Sequence, residues 1–315
     1  MAFDISIKET ANGKIIILKD KENLTEAEIY SFGALLNAFS IKKEDKTINV
    51  VDGFTSVEDA SKHITDGFKS AKLSPFVCRL EKAKYSFEGH SYNVKKFNLG
   101  NEAIHGLLFD INYTVTDKGA DDNKAYVVLE CSYTNKEQGF PFSYTTQVIY
   151  TLEKDNRLSI ATKVINTGSK NMPLSDGWHP YFKLGETVND LEVQLNTDTM
   201  VEFDDRLLPS GKTLSDGRFE TMKAFEDTFL DNCFILKDYD KVSCILKDKK
   251  QGLQLSIYAD KSYPYLQVYT PPHRKSIAVE NLSSVPDAFN NGIGLIISKP
   301  GEVHEFKTIY QLQKL

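Results

Sequence analysis

Alternating apolar and polar positions, the pattern of a half-buried β-strand, recur along most of the chain. The run RLSIATKVIN at residues 157–166 has Leu158, Ile160 and Val164 on one face and Lys163 on the other. Because a strand with one apolar face must bury it against another layer, this pattern favours a layered β-sheet protein.

Turn sequences separate pairs of such runs at four places and predict four β-hairpins. Two of these turns are Glu88-Gly89 and Pro300-Gly301, and the other two are charged. The predicted hairpins span residues 85–94, 146–160, 242–260 and 294–312. They continue to the end of the chain without a linker or a fixed-period repeat. The sequence therefore predicts an all-β fold, one large antiparallel β-sandwich with few short helices, formed by residues 1–315 as a single domain.

Helical patterns are few. Residues 56–64 (SVEDASKHI) predict a short helix capped by Ser56, with acidic residues in its first turn. Residues 23–39 (NLTEAEIYSFGALLNAF) also predict a helix by local criteria, because Thr25 and Glu28 have the spacing of a capping box.

Composition and charge narrow the class of protein. Hydrophobic residues make up 41% of the chain and charged residues 26%, the balance of a soluble globular protein with a large core. The net charge of −6 gives no electrostatic attraction to nucleic acid or to an anionic membrane. The four cysteines show no paired spacing, and residues 1–20 lack the features of a secretory signal. We therefore expect a cytoplasmic protein that binds neither nucleic acid nor membrane.

Several familiar catalytic motifs are absent from the sequence. It contains no glycine-rich phosphate loop, no dinucleotide-binding fingerprint and no G-x-S-x-G turn. The six histidines form no H-x-H or H-E-x-x-H pair, so we expect no metal site.

Some polar residues lie in strand-like or aromatic surroundings. Alternation in PYLQVYT places Gln267 between Tyr265 and Tyr269 on one face. That arrangement suits a carbohydrate, because aromatic rings cover the C–H face of a sugar and the amide meets its hydroxyls. Glu280 stands beside small residues at the end of a strand, and alternation in PFVCRL points Arg79 away from the apolar face. Taken alone, residues such as Glu280 and Arg79 are more often members of structural ion pairs or solvated charges at a strand edge than functional groups.

His179 lies in the segment SDGWHPYFKLG, beside the only tryptophan, Trp178. Taken alone, a histidine in this setting is more often a packed, hydrogen-bonded residue than a catalyst. If the segment is extended, His179 and Tyr181 share one side, and Trp178 and Phe182 on the other side either pack or line a site. His105, which precedes a glycine, also fits a turn.

Together these segments resemble the aldose 1-epimerase (galactose mutarotase-like) family, through most of the chain and in the same order. The resemblance is found in VVDGF, KSAKLSPFVCRLEKAKYSFEGHSYNV, NEAIHGLLFD, GWHPYFKLG, LDNCFIL, LQVYT and AVENLSSVPDAFNNGIGLIISKPGE. It implies a large antiparallel β-sandwich, in which residues 27–39 form strand rather than the helix of the local prediction.

The resemblance also implies a reaction, the interconversion of the α and β anomers of a free hexose. Glu280 is then the base that removes the proton of the C1 hydroxyl, and His179 is the acid that protonates the ring oxygen. One carboxylate and one imidazole are sufficient, so no cofactor is expected. The resemblance implies four further residues that bind the sugar: Arg79, His105, Asp231 and Gln267. Trp178, from the reading of its own segment, is also expected to bind the sugar.

This chain departs from the better-known galactose-converting members in two ways. Those members have threonine or a similar residue where this chain has Pro180, and their counterparts of Gln267 and Glu280 lie further apart. The resemblance therefore implies the fold and the reaction more firmly than the sugar.

Three other functions remain open at this stage. An epimerase acting on hexose 6-phosphates needs cationic side chains that bind the phosphate. His273, Arg274 and Lys275 supply them unless they form a charged surface turn. A non-catalytic carbohydrate-binding protein needs no acid–base pair. A glycoside hydrolase or lyase would pair Asp231 with Glu280. In each case the partner is a sugar, and the protein is a monomer or a homodimer.

Overall fold

The computed structural model describes residues 1–315, most of which form antiparallel strands. In the first half of the chain the strands are β1 (Phe3–Thr10), β2 (Gly13–Asp20), β3 (Thr25–Tyr30), β4 (Leu36–Lys43), β5 (Lys46–Asn49), β6 (Ala71–Leu73), β7 (Arg79–Leu80), β8 (Lys84–Phe87), β9 (His90–Asn93), β10 (Asn98–Leu99), β11 (Glu102–Ile104), β12 (Thr114–Ala120), β13 (Lys124–Thr134), β14 (Ser143–Glu153) and β15 (Arg157–Asn166).

In the second half they are β16 (Met172–Leu174), β17 (Gly177–His179), β18 (Tyr181–Phe182), β19 (Glu192–Leu195), β20 (Thr199–Phe203), β21 (Pro209–Ser215), β22 (Lys223–Ala224), β23 (Asp231–Ile235), β24 (Cys244–Asp248), β25 (Leu253–Ala259), β26 (Tyr265–Tyr269), β27 (Ile277–Leu282), β28 (Ile296–Ser298) and β29 (Val303–Lys314). The two α-helices are α1 (Val57–His63) and α2 (Ala288–Asn291). Neither helix has the length and apolar character needed to cross a lipid bilayer.

The two largest sheets pack against each other, which confirms the predicted β-sandwich. One has nine strands in the order β12-β13-β14-β15-β29-β25-β24-β19-β22, and the other follows the order β21-β20-β23-β26-β27-β17-β6, with β18 also paired to β27. Phe182 of β18 packs edge-on against Tyr310 of β29, with ring centroids 5.2 Å apart. A third sheet, β1-β2-β3-β4-β5, contributes buried residues to the same hydrophobic core.

Residues 23–39 form β3 and β4, so the local helix prediction was wrong and the strand implied by the resemblance is confirmed. Both residues of the apparent capping box make tertiary contacts instead of capping a helix. The Thr25 hydroxyl donates to Asn156 Oδ1, and Glu28 Oε1 accepts from Asn37 Nδ2. Pairing of β3 with β2 on one side and β4 on the other therefore outweighs the local helical preference.

Three predicted hairpins are confirmed: β8–β9, β14–β15 and β24–β25. The fourth was wrong in its pairing. β28 and β29 flank the Pro300-Gly301 turn, but β28 pairs with β16, while β29 lies between β15 and β25. Asn166 separates them, because its side chain donates to the Ser298 carbonyl while its own carbonyl accepts from the Gly301 N–H.

The predicted short helix is confirmed as α1. Ser56 caps it, with its hydroxyl accepting the Asp59 N–H, and Glu58 and Asp59 lie in the first turn, where acids are favoured by the helix dipole.

Candidate active site

A cavity of about 340 Å³ opens on one face of the sheet with the strand order β21-β20-β23-β26-β27-β17-β6. It is large enough for a small-molecule ligand. Six of the seven predicted site residues line it: Arg79, His105, His179, Asp231, Gln267 and Glu280. The sheet collects them from segments up to about two hundred positions apart, which is why no local motif marks the site.

Strand register arranges the centre of the site as a row. Antiparallel pairing of β26 with β27 sets Gln267 directly opposite Glu280. On the other side of β27, the pairs Gly177–Leu282 and Tyr181–Ala278 flank His179. The same register therefore sets His179 opposite Glu280, and the side chains of the row project from one face.

His179 and Glu280 meet at the closed end of the cavity. His179 Nε2 lies 3.4 Å from Glu280 Oε1, with side-chain exposures of 7% and 3%. Burial lowers the pKa of His179 to about 4. Burial, and next the negative charge of Asp231, raise the pKa of Glu280 well above its ordinary value. Because burial penalises both charges, it favours neutral His179 beside protonated Glu280 over an ion pair.

His105 occupies a constrained backbone position beside this pair. Its φ is 61°, in the left-handed region, and its ring stands edge-on to that of His179 with centroids 4.8 Å apart. The following residue has to be glycine, because a Cβ on Gly106 would lie 2.3 Å from the Ser74 carbonyl oxygen. Burial, and then the charges of His179 and Arg79, lower the pKa of His105 well below its ordinary value. The neutral ring of His105 therefore offers a hydrogen-bonding nitrogen without a charge.

The strands β26 and β23, next in order after β27, contribute polar side chains to the cavity. Gln267 Nε2 donates to Asp231 Oδ1 at 2.8 Å, which holds both side chains in place. Burial raises the pKa of Asp231, and Arg79 opposes that shift. Arg79 faces the cavity together with Cys78, although alternation predicts opposite sides for them. The reason is that Cys78 has a φ of 48°, which breaks the alternation.

Buried polar atoms without partners converge on this cavity. His105 Nδ1, His179 Nδ1, Gln267 Oε1 and Glu280 Oε2 are all inaccessible to solvent, and none has a hydrogen-bond partner within the protein. Leaving such atoms unpaired is costly, and four of the side chains that line the cavity therefore carry hydrogen-bonding capacity that the protein itself does not use.

Trp178 does not line the cavity, and the prediction that it binds the sugar was wrong. It faces the hydrophobic core on the other side of β17 and is 2% exposed. There its ring packs edge-on against Tyr150, and the Lys72 ammonium lies 4.4 Å from its centroid. Its neighbour His179 necessarily projects from the opposite face of the strand.

Several aromatic side chains complete the walls. Tyr181 stacks on His179 with ring centroids 5.0 Å apart, and Tyr269 lies on the polar side. Alternation in the sequence indicates both positions, since Tyr181 shares a side with His179 and Tyr269 shares one with Gln267. Tyr265 also shares that side but lies outside the cavity, beside Val201 and Cys233. The wall residues supplied by loops and short connections have no sequence signal: Thr65, Asp66, Gly67, Phe97 and Leu207.

The cluster at His273, Arg274 and Lys275 lies outside the cavity. Arg274 Nη1 and Nη2 donate to the carbonyls of Thr228 and Glu226 at 3.0 and 2.6 Å. The cluster is therefore a charged turn that ties neighbouring loops together, and its arginine is already engaged.

Comparison with known proteins identifies the family to which the chain belongs. A family model for aldose 1-epimerase matches residues 14–311. An aldose 1-epimerase of Streptococcus thermophilus is 25% identical over 320 residues, covering 89% of this chain and 88% of the relative. The uncharacterized protein YihR of Escherichia coli (strain K12) is 29% identical over 252 residues, covering 77% and 79%.

Among solved structures, a galactose mutarotase-like protein from Clostridium acetobutylicum has the same fold. Its TM-score is 0.87 at 20% identity, covering 100% of this chain and 99% of that one. Since the family model spans nearly the whole chain, this protein belongs to the aldose 1-epimerase family, a family of isomerases that act on carbohydrates.

Proposed function

We propose that the protein is a mutarotase that interconverts the α and β anomers of a free hexose by acid–base ring opening. The observation that carries this proposal is the approach of His179 Nε2 to within 3.4 Å of Glu280 Oε1 at the closed end of a polar cavity. One proton shared by a carboxyl and an imidazole is what the reaction requires, because each anomer must lose one proton and gain another.

In the proposed reaction the C1–O5 edge of the pyranose lies against the His179–Glu280 pair. The proton that burial favours on Glu280 first passes to His179 across their 3.4 Å contact. Ionised Glu280 then removes the proton of the C1 hydroxyl while protonated His179 donates to O5, and the C1–O5 bond breaks to give the open aldehyde. The pair is then left as neutral His179 and protonated Glu280, which is the form that burial favours. The buried site therefore stabilises the products of proton transfer relative to the charged pair.

Rotation about C1–C2 presents the other face of the aldehyde. O5 then attacks C1, His179 recovers the O5 proton, and Glu280 returns its proton to the new C1 hydroxyl. Protons and charge balance over the cycle without a cofactor. Each positioned proton-transfer group typically contributes about 10² to 10⁴ in rate.

We assign the remaining polar side chains to holding the sugar. Asp231 and Gln267 face the ring hydroxyls as a hydrogen-bonded pair, and Arg79 and His105 approach from the other side. Arg79 makes no ion pair within 4.0 Å, so its guanidinium donors are available to ligand oxygens. Fixing the ring in this way places C1 at the acid–base pair through the whole cycle.

The proposal is tested by following anomer exchange in freshly dissolved α-glucose and α-galactose by polarimetry, with glucose 6-phosphate and a glycan in parallel. We expect acceleration with at least one free hexose and no release of reducing ends from the glycan. Binding of the free sugars without acceleration would point to a carbohydrate-binding protein and contradict the proposal, as would acceleration confined to the phosphorylated sugar.

A further inference from the structure

A buried charged network lies on the core side of the strand that carries His179. Lys72 and Asp176 are both inaccessible to solvent, and Lys72 Nζ donates to Asp176 Oδ1 at 2.5 Å. The Tyr263 hydroxyl donates to the same carboxylate oxygen at 2.7 Å. None of the three side chains lines the cavity, so the proposed reaction does not use them directly.

Such a network is not explained by stability alone. Taking two charges out of water is costly, and apolar residues of similar volume in place of a buried ion pair are often neutral or stabilising. The three residues instead connect separate strands, since each belongs to a different part of the sheet. Lys72 lies on β6, Asp176 directly precedes β17, and Tyr263 lies two residues before β26.

Asp176 also ties β17 to β27 beside the catalytic pair. Its N–H donates to Ser283 Oγ at 2.8 Å, and its carbonyl accepts the Ser283 N–H at 2.9 Å. Asp176 stands three residues before His179, and Ser283 stands three after Glu280. Between these two pairs a side chain on Gly177 would have no room, because its Cβ would lie 2.7 Å from Leu282 Cδ2 and 3.0 Å from the Asn281 carbonyl oxygen. The position of Asp176 therefore sets the relative position of the two strand segments that present His179 and Glu280.

We propose that Lys72, Asp176 and Tyr263 are positioning residues, which fix the separation of His179 and Glu280 from behind the sheet. This inference rests on the proposed function of that pair. Lys72 holds the Asp176 carboxylate from β6, while β6 itself pairs with β17 through Lys72 opposite Trp178 and Ala71 opposite His179. Tyr263 holds the same carboxylate from the β26 side.

The network should affect catalysis more than sugar binding. A misplacement of about 1 Å in an acid–base pair can cost about 10²-fold in rate. The sugar contacts assigned to Asp231, Gln267 and Arg79 come from β23, β26 and β7. Lys72 makes no hydrogen bond to these strands, because its ammonium donates to Thr162, Asp176 and Gly177. Loosening the network should therefore lower kcat and leave KM nearly unchanged.

The direct test is the double variant Lys72→Met/Asp176→Asn, which removes both charges but keeps an oxygen to accept the Tyr263 hydroxyl. We expect it to fold with a Tm near that of the wild type, with kcat lowered at least about tenfold and KM within about twofold. Wild-type kcat in a folded double variant would overturn the inference, because Lys72 and Asp176 would then only neutralise each other and would not position His179 and Glu280.

Two tyrosine variants keep the inference testable if the double variant does not fold. Tyr263→Phe removes the hydrogen bond to Asp176, and Tyr150→Phe removes an equally buried 2.8 Å hydrogen bond to the Ala34 carbonyl. We expect kcat to fall in Tyr263→Phe and not in Tyr150→Phe. Equal effects in the two variants would contradict the inference.

A spectroscopic readout separates failure of this inference from failure of the proposed function. The imidazole ¹⁵N resonances of His179 report its surroundings whether or not the protein accelerates anomer exchange. We expect them to shift or broaden in Tyr263→Phe and to match the wild type in Tyr150→Phe. Unchanged His179 resonances in both variants would overturn the positioning role even if mutarotation is demonstrated, whereas an inactive wild type with these shifts present would overturn only the proposed function.

Discussion

His179 Nε2 lies 3.4 Å from Glu280 Oε1, although the two residues are about a hundred positions apart in the chain. The adjacent strands β17 and β27 bring them together in one row with Gln267. In this buried setting the carboxyl has a raised pKa and the imidazole a lowered one, so burial favours protonated Glu280 beside neutral His179. The account predicts how such a pair responds to pH and to substitution.

The pH profile of kcat/KM should be level through pH 6.5. Activity requires one proton on the pair, and a second proton adds only when His179 is protonated as well, at a pKa of about 4. We expect the acid limb of kcat/KM near pH 4, measured by polarimetry after subtraction of the uncatalysed rate at each pH. An acid limb centred near pH 6.5, the ordinary histidine value, would show that burial does not control His179.

Glu280→Gln should stabilise the protein. The pKa of Glu280 is raised in the fold, so its contribution to stability is fully present below the unfolded value of about 4.3 and is lost as pH rises towards the folded value. Glutamine does not ionise, so the variant does not lose this stability as the pH rises. The Tm advantage of the variant should therefore grow between pH 4 and pH 8, and each unit of pKa shift is equivalent to about 1.4 kcal/mol. A variant less stable than the wild type at pH 8 would contradict this.

Asp231→Asn should raise KM about tenfold and change kcat less. In the account Asp231 holds sugar hydroxyls in both the ground state and the transition state, and it takes no proton. The control is the same substitution outside the cavity, Asp198→Asn, where the carboxylate pairs with Lys237. Loss of kcat at unchanged KM in Asp231→Asn would instead favour a two-carboxylate hydrolase.

Arg274→Ala should lower stability by about 1 to 2 kcal/mol without changing sugar preference. The side chain ties two loop carbonyls and packs over Phe225, with the guanidinium carbon 5.8 Å from the ring centroid. Thermal unfolding measures the first effect, and rates on glucose and glucose 6-phosphate measure the second. A selective loss of activity on glucose 6-phosphate would instead indicate that the cluster at 273–275 binds phosphate.

Much of the fold follows from local patterns. Alternation identifies the long strands β14 and β15, and Ser56 with its acidic neighbours identifies α1. Pairing between distant strands does not follow in the same way, because it depends on which buried faces match across the chain. For that reason the sequence misassigned residues 23–39 and the partner of β28.

The candidate site shows the same division. Alternation places Gln267 and Tyr269 on the same face of one strand, and it places His179 and Trp178 on opposite faces of another. It does not say which of these faces meets the cavity. Trp178 was assigned to the sugar because it adjoins His179, and the sheet turns it into the core instead. Arg79 also departs from simple alternation, since the left-handed backbone of Cys78 reorients it.

The most direct test of the central claim is polarimetry of anomer exchange in Glu280→Gln and His179→Asn, beside the wild type. Glu280→Gln preserves side-chain size, and His179→Asn keeps a polar side chain of smaller size. We therefore expect folded proteins that each lose most of the mutarotation activity, by about 10² or more. The double variant should be little worse than either single one, because the two groups act as a unit. Near-wild-type rates in both single variants would contradict the assignment of His179 and Glu280 as the acid–base pair.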